Sequence, residues 1–258
     1  MRRLPVAHGP ADGDAARVAG LYTRRFGPWP TTEPVVVLLH GLGLSGRYFY
    51  PLARELAAAG RRVLVPDLPG NARSRSASRR APDTAATVRA LRRWHAAAGI
   101  GPCVVVANSV GCQVAVALAA THGSPVERLV LVGPALDTAH PSPWRQFLRL
   151  VADAPREPLA LLVLVAADYL VTGVSRFVAG FRQARREALG PFTARLRAVR
   201  VPVLVVRGAG DRVAPTPWAE RVTAALPDSR LVVVPAAAHA VHFSRPAVLA
   251  RLIHGFRR

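Results

Sequence analysis

Val104-Val105-Val106-Ala107-Asn108-Ser109-Val110-Gly111-Cys112-Gln113-Val114-Ala115 is an apolar run that breaks at a serine between small residues and then resumes. The first half has the β-branched composition of a strand buried on both faces, and the second half reads as a buried helix. A serine at such a corner stands up from the carboxyl end of a sheet, in a backbone conformation that small neighbours permit. Ser109 is therefore a candidate nucleophile. The pentapeptide is Ala-x-Ser-x-Gly rather than Gly-x-Ser-x-Gly, and a serine there also suits a helix cap. The assignment rests on the groups that the rest of the chain brings to Ser109.

The chain has 258 residues, 51% of them hydrophobic, with Gly and Pro scattered. That suits one large globular α/β domain rather than two. The formal charge of +20 comes from 35 arginines with no lysine. They are dispersed apart from Arg61-Arg62, Arg73 to Arg80 and Arg182 to Arg186, and no stripe interleaved with aromatics appears. No nucleic-acid partner is expected, and the arginines read as a generic basic surface. Before Gly9 there are arginines but no apolar segment, so the sequence predicts no signal peptide and a cytoplasmic protein. Cys103 and Cys112 make neither a disulfide framework nor a metal site.

Residues 1–14 read as a loose lead-in, Arg17 to Phe26 as one early strand, and Pro28-Trp29-Pro30 as a turn. Pro34 to Leu39 is a strong buried-strand signal that ends at His40-Gly41-Leu42-Gly43. A helix from about Ser45 to Ala59 stops at Gly60. The strand Arg62 to Val65, the turn Pro66 to Gly70 and a helix from Pro82 to Ala98 lead to the strand before Ser109. Further strands are expected at 128–132, 201–206 and 230–234, with helices at 217–226 and 244–256. This alternation predicts a doubly wound, mainly parallel sheet flanked by helices. Residues 138–198 interrupt it with helix-like pieces punctuated by prolines and glycines. The run Pro158 to Val174 is very apolar but short for a membrane span and carries Asp168, so no stable membrane insertion is expected. A helical cap over a pocket is the expected role of 138–198, with residues 1–137 and 199–258 as the core; extra helical core is the alternative.

One motif points elsewhere. Gly41-Leu42-Gly43-Leu44-Ser45-Gly46 matches G-x-G-x-x-G between a strand and a helix, and Asp67 ends the next strand 21 residues beyond Gly46. That is the pattern of a dinucleotide site and of an oxidoreductase. It leaves His40, the serine corner and the C-terminal histidines without a role.

A serine hydroxyl needs a base within hydrogen-bond reach, and in doubly wound hydrolases the partners follow in the order Ser, acid, His. The strand Pro202 to Val206 leads to Arg207-Gly208-Ala209-Gly210-Asp211, which puts Asp211 at a strand's carboxyl end, where ligand sites of parallel sheets form. The alternative for Asp211 is a turn residue. Leu231 to Val234 leads in the same way to His239. His242, three residues on, reads as a packing residue, and the two histidines lack further ligands for a metal.

These residues carry a resemblance. His40-Gly41-Leu42-Gly43, Pro66-Asp67-Leu68-Pro69-Gly70, Ala107-Asn108-Ser109-Val110-Gly111, Gly210-Asp211 and His239-Ala240-Val241-His242-Phe243 resemble the α/β-hydrolase family from about Ala16 to Phe256. The resemblance implies a nucleophile at Ser109, a base at His239 and an orienting acid at Asp211. It also implies an oxyanion hole from the backbone N–H groups of Leu42 and Val110. Ala107 replaces a glycine of the usual pentapeptide, Cys112 stands where many relatives have another, and Asn71-Ala72 replaces the bulky-Gly pair after Pro-Gly. None of these removes a reacting group.

The expected reaction is acyl transfer to Ser109 and then to water, without a cofactor, on a small-to-medium apolar ester, thioester or lactone. His40, Asn108, Trp144, Phe147, Tyr169 and Val213 are candidate substrate contacts, each with packing as its alternative. C–C bond hydrolysis, acyl transfer or elimination, and a non-catalytic ligand receptor are the competing readings on this fold. The sequence assigns no oligomeric state.

Overall fold

The computed structural model describes residues 14–29, 33–74, 82–139 and 142–256. The lead-in up to Gly13, Pro30, Arg75, Arg79, Arg80 and Pro141 lie outside them. Eight strands form one sheet: β1 (Asp14–Val18), β2 (Leu21–Phe26), β3 (Val35–Leu39), β4 (Val63–Pro66), β5 (Cys103–Asn108), β6 (Val126–Val132), β7 (Val203–Gly208) and β8 (Ser229–Val234). Their order is β1-β2-β4-β3-β5-β6-β7-β8. From β4 to β8 every neighbouring pair is parallel.

The single early strand expected over Arg17–Phe26 is instead a hairpin, with β1 and β2 antiparallel and β2 antiparallel to β4. Ala19 and Gly20 turn the chain with φ of +45° and +86°. Their small size leaves the surrounding alternation uninterrupted, so the turn does not show in the pattern.

The inner strands are apolar on both faces because helices cover both. Val37, Leu39, Val105, Leu129 and Val205 pack under α2 (Thr84–Ala98), α3 (Gly111–Ala119) and α8 (Thr216–Ala224), with Trp94 and Trp218 in that layer. Val36, Leu38, Val106, Val130 and Val206 face α1 (Tyr50–Ala58) and the C-terminal helices. The expected helix 244–256 is two pieces, α9 (Val241–Ser244) and α10 (Pro246–Gly255). Pro246 has no N–H to continue a helix through itself, but it suits a first turn, so it restarts the chain after Arg245.

Between β6 and β7 the chain leaves the sheet through α4 (Pro143–Asp153), α5 (Leu159–Thr172), α6 (Val174–Leu189) and α7 (Pro191–Ala198). α5 and α6 meet at 99° across Gly173, and among the described residues no single helix is long and apolar enough to cross a membrane. Asp168 fastens this insert to the core. One carboxylate oxygen accepts from the Ser45 N–H (2.8 Å) and hydroxyl (2.7 Å), and the other accepts from Arg47 (2.7 Å). The Thr172 hydroxyl donates to the Gly43 carbonyl at 2.8 Å. Replacing Asp168 by Ala leaves the buried Ser45 groups without a partner, at an expected cost of about 2 kcal/mol. An unchanged melting temperature, with unaltered amide exchange in α5, would contradict this anchoring role.

Candidate active site

Ser109 directly follows β5 and has φ of +57°, a left-handed conformation that costs a non-glycine residue of order 1–3 kcal/mol. The corner is held from three sides. The Ser109 N–H donates to the Val132 carbonyl at 3.0 Å, and the Cys112 N–H donates back to the Ser109 carbonyl at 3.1 Å. A side chain at Gly111 would lie 2.6 Å from the His40 carbonyl oxygen, so only glycine lets α3 start this close to β3. Val110 stands at the amino end of α3. Among the described residues neither its N–H nor that of Leu42 has a hydrogen-bond partner. Two free N–H groups beside Ser109, one at a helix amino terminus, suit a developing oxyanion.

Asp211 and His239 come from the loops after β7 and β8. His239 Nδ1 is 3.0 Å from Asp211 Oδ2. The other Asp211 oxygen accepts from the Val213 and Ala214 N–H groups, each at 2.8 Å. Buried Arg207 donates to the Asp211 and Ala214 carbonyls (2.8 and 3.1 Å) and so sets the shape of the acid's loop. With all its oxygens occupied, Asp211 is held as an acceptor. The Nδ1–H of His239 then points to the acid, and Nε2 is left buried without a partner.

Ser109, Val110, Leu42 and His239 share the wall of a cavity of about 380 Å³. That is at the small end of ligand-site volumes, about 300–1,000 Å³. The insert provides its roof, through Phe147, Leu150, Leu162, Val165, Tyr169 and Phe181.

The insert also brings two carboxylates to the His239 loop. Asp153 accepts from the Arg212 N–H (2.9 Å) and the His239 N–H (3.3 Å). Glu157 accepts from the Ala240 N–H at 2.6 Å, and its second oxygen is buried without a partner. Burial disfavours the His239 imidazolium, but the charge and hydrogen bond of Asp211, helped by Asp153 and Glu157, outweigh it and raise the pKa to about 8. Burial likewise pushes Glu157 up to about 7, against the opposing pull of the Ala240 N–H and of His239.

The remaining candidates divide. Phe147, Tyr169 and Val213 line the cavity. Trp144 does not; it is 65% exposed and stacks on Phe147 with ring centroids 5.7 Å apart. The two share a face of α4, but Trp144 is one turn nearer the start of the helix and only Phe147 lines the cavity. His40 is not a substrate contact in this arrangement. Its Nε2 accepts from the Leu68 N–H at 2.8 Å, which places the proton on Nδ1, 2.8 Å from the Gly41 carbonyl. Burial above all lowers its pKa, so it serves as a neutral brace under the Leu42 loop. Asn108 reaches the cavity wall, but its amide nitrogen donates to the Val132 and His239 carbonyls (3.0 and 3.4 Å) and ties the two loops together. His242 packs between Tyr48 and Phe49 with both ring nitrogens unpartnered.

The dinucleotide reading fails at Asp67. Its carboxylate is taken by the Gly46 N–H (2.7 Å) and the Arg73 N–H (3.0 Å), leaving a fold-holding contact where a ribose would sit.

Sequence reasoning missed Gly133, Asp153 and Glu157. Asp153 ends α4 and Glu157 is extended beyond the short turn 154–156, so no helical spacing links the two and the sequence carries no signal for them. Gly133 follows β6 at φ +53° directly beneath the Asp211–His239 pair.

A doubly wound α/β enzyme with its reactive groups on loops at the carboxyl edge of the sheet is the class that this fold and site define. The model of the alpha/beta hydrolase family matches residues 36–252. The chain belongs to that family and is an α/β-fold hydrolase. It is 31% identical to the magnesium-chelatase 30 kDa subunit of Rhodobacter capsulatus, over 83% of this chain and 84% of that one. It is 33% identical to the pimeloyl-[acyl-carrier protein] methyl ester esterase of Aromatoleum aromaticum, over 86% and 97%. E-2-(acetamidomethylene)succinate hydrolase has a similar solved fold, with TM-score 0.78 and 19% identity over 94% and 98% of the two chains.

Proposed function

We propose that this hydrolase cleaves the ester, thioester or lactone bond of a small-to-medium apolar substrate through an acyl-enzyme on Ser109, without a cofactor. The observation that carries the reading is the oriented His239: Nδ1 on Asp211 at 3.0 Å, Nε2 buried and unpartnered on the same cavity wall as strained Ser109. His239 takes the Ser109 proton as Oγ attacks the carbonyl carbon, and Asp211 steadies the imidazolium. The Leu42 and Val110 N–H groups hold the oxyanion. The C–O or C–S bond then breaks, with the His239 proton going to the leaving group. Water, deprotonated by His239, releases the acid. α4–α6 act as a cap that keeps bulk water from the intermediate, whereas α7, expected as part of the cap, packs Phe192 and Leu196 into the core layer with Trp218. The methyl ester esterase relative supports an ester-type bond.

Rapid quenching with a chromogenic ester, followed by mass spectrometry, tests the reading. The expected product is an acyl adduct on the peptide bearing Ser109; adducts elsewhere, or turnover without one, would overturn it. Across linear esters of increasing acyl length, kcat/KM is expected to rise and then fall once the chain exceeds the 380 Å³ cavity. A flat profile would mean that the cap does not select.

The pH profile offers a separate check. His239 acts as base only when neutral, so activity rises as pH climbs through about 8. Glu157→Gln keeps an acceptor for the Ala240 N–H but removes a negative charge that favours the imidazolium. Its rising limb is expected at lower pH than in the wild type. An unmoved limb would show that Glu157 does not act on His239.

A further inference from the structure

Among the described residues, every exposed large apolar side chain except Val233 belongs to the insert between β6 and β7. Apart from the inward-facing Asp168, Tyr169 and Thr172, α5 is entirely apolar, a composition that a surface helix of a free-standing protein does not need. Its Leu161, Leu162, Val165 and Tyr169 face the core and cavity. On the opposite side Leu159, Val163 and Leu170, spaced four and seven residues apart, are 75%, 62% and 84% exposed. α4 shows Trp144, Phe147, Leu148 and Val151 to solvent, and α6 shows Val174 and Val178. Phe147 and Val151 are exposed and also line the cavity, so its mouth opens beside this apolar face.

The charge around the face is one-sided. Residues 138–198 hold nine arginines against four carboxylates. All four carboxylates are drawn inward. Asp153, Asp168 and Glu187 are buried, Glu187 pairing with Arg195, and Glu157 is partly buried against the Ala240 N–H. Arg145, Arg156, Arg182, Arg186 and Arg197 are exposed. An apolar face with exposed aromatic and aliphatic side chains, on an insert whose exposed charged side chains are all arginines, is complementary to an anionic bilayer. A second copy would set arginine against arginine, with no acidic group to receive them.

We propose that the outer faces of α4, α5 and α6 form a docking surface for an anionic lipid bilayer, with the cavity mouth at the lipid interface. Among the described residues no single helix is long and apolar enough to cross, and the 99° bend between α5 and α6 suits an insert lying on the membrane, with Leu159, Val163 and Leu170 in the headgroup–acyl boundary. This docking is independent of the acyl-enzyme reading and needs no turnover.

Vesicle co-sedimentation of the full chain tests it, with phosphatidylcholine alone or mixed equally with phosphatidylglycerol. Wild type and Ser109→Ala are expected to sediment equally with the anionic vesicles, weakly with the neutral ones, and less at high salt. The triple variant Leu159→Ser, Val163→Ser, Leu170→Ser is expected to partition at least about tenfold more weakly, because three apolar side chains no longer leave water. None of the three lines the cavity, so its hydrolysis of a soluble short-chain ester and its circular dichroism are expected to stay as in the wild type. A wild type that stays in the supernatant with anionic vesicles would overturn the proposal. So would a triple variant that binds undiminished, or a wild-type dimer in sedimentation velocity that the triple variant dissolves. The last outcome would make the face an interface between copies.

Discussion

Ser109→Ala is expected to lower ester hydrolysis by at least on the order of 10⁴-fold and to abolish labelling by a fluorophosphonate probe. The reasoning runs from the backbone. The chain holds residue 109 at φ +57° whatever side chain it bears, because β5, α3 and the Val132 hydrogen bond fix it. Alanine therefore keeps the strain and loses only the hydroxyl. Glycine at the same position loses both and regains the conformational freedom that stabilises the unfolded chain. Ser109→Gly is expected to be inactive yet more stable than Ser109→Ala by about 1 kcal/mol. Denaturant titration of the two variants reads that difference. Persistent fluorophosphonate labelling of Ser109→Ala would remove Ser109 from the chemistry.

Gly133→Ala is expected to lower activity about 10²-fold from a position outside the cavity lining. A methyl group there would lie 2.8 Å from His239 Nδ1 and 2.9 Å from Asp211 Oδ2, inside the hydrogen bond that orients the base. The pair must move apart, and a misplacement of about 1 Å costs catalysis about 10²-fold. Residue 133 also sits at φ +53°, which adds a stability cost of about 1–3 kcal/mol. Gly99→Ala separates the two effects, since Gly99 has φ +63° but open space around it. That variant should lose stability and keep kcat/KM. If Gly133→Ala keeps full activity, the histidine and acid are not held as this geometry requires.

The parallel core was legible because residues 35–39, 104–107, 129–132 and 203–206 are continuous apolar runs, as strands of a doubly covered sheet require. Ser109 and Asp211 were legible because each follows such a run, and His239 because it follows the apolar end of β8, residues 231–234. Less was visible where local pattern carries no sign of its partner. The Ala19-Gly20 turn kept the alternation intact and hid a hairpin. His40 carries the same chemical groups as a substrate contact, and only the Leu68 N–H on its Nε2 assigns it to bracing. Trp144 and Phe147 look alike in sequence and stack on one face of α4, yet only Phe147 lies far enough along the helix to line the cavity.

The sequence by itself determined the doubly wound sheet, the serine corner and the edge at which Asp211 and His239 appear, since strand burial and turn chemistry are written locally. Only the tertiary structure decided what surrounds them. Asp153 and Glu157 reach the His239 loop from the end of α4 and the turn after it, more than eighty residues away in the chain, and Gly133 matters through contacts with two other loops. Electrostatics and steric fit depend on distance in space, which the spacing of residues along the chain does not record.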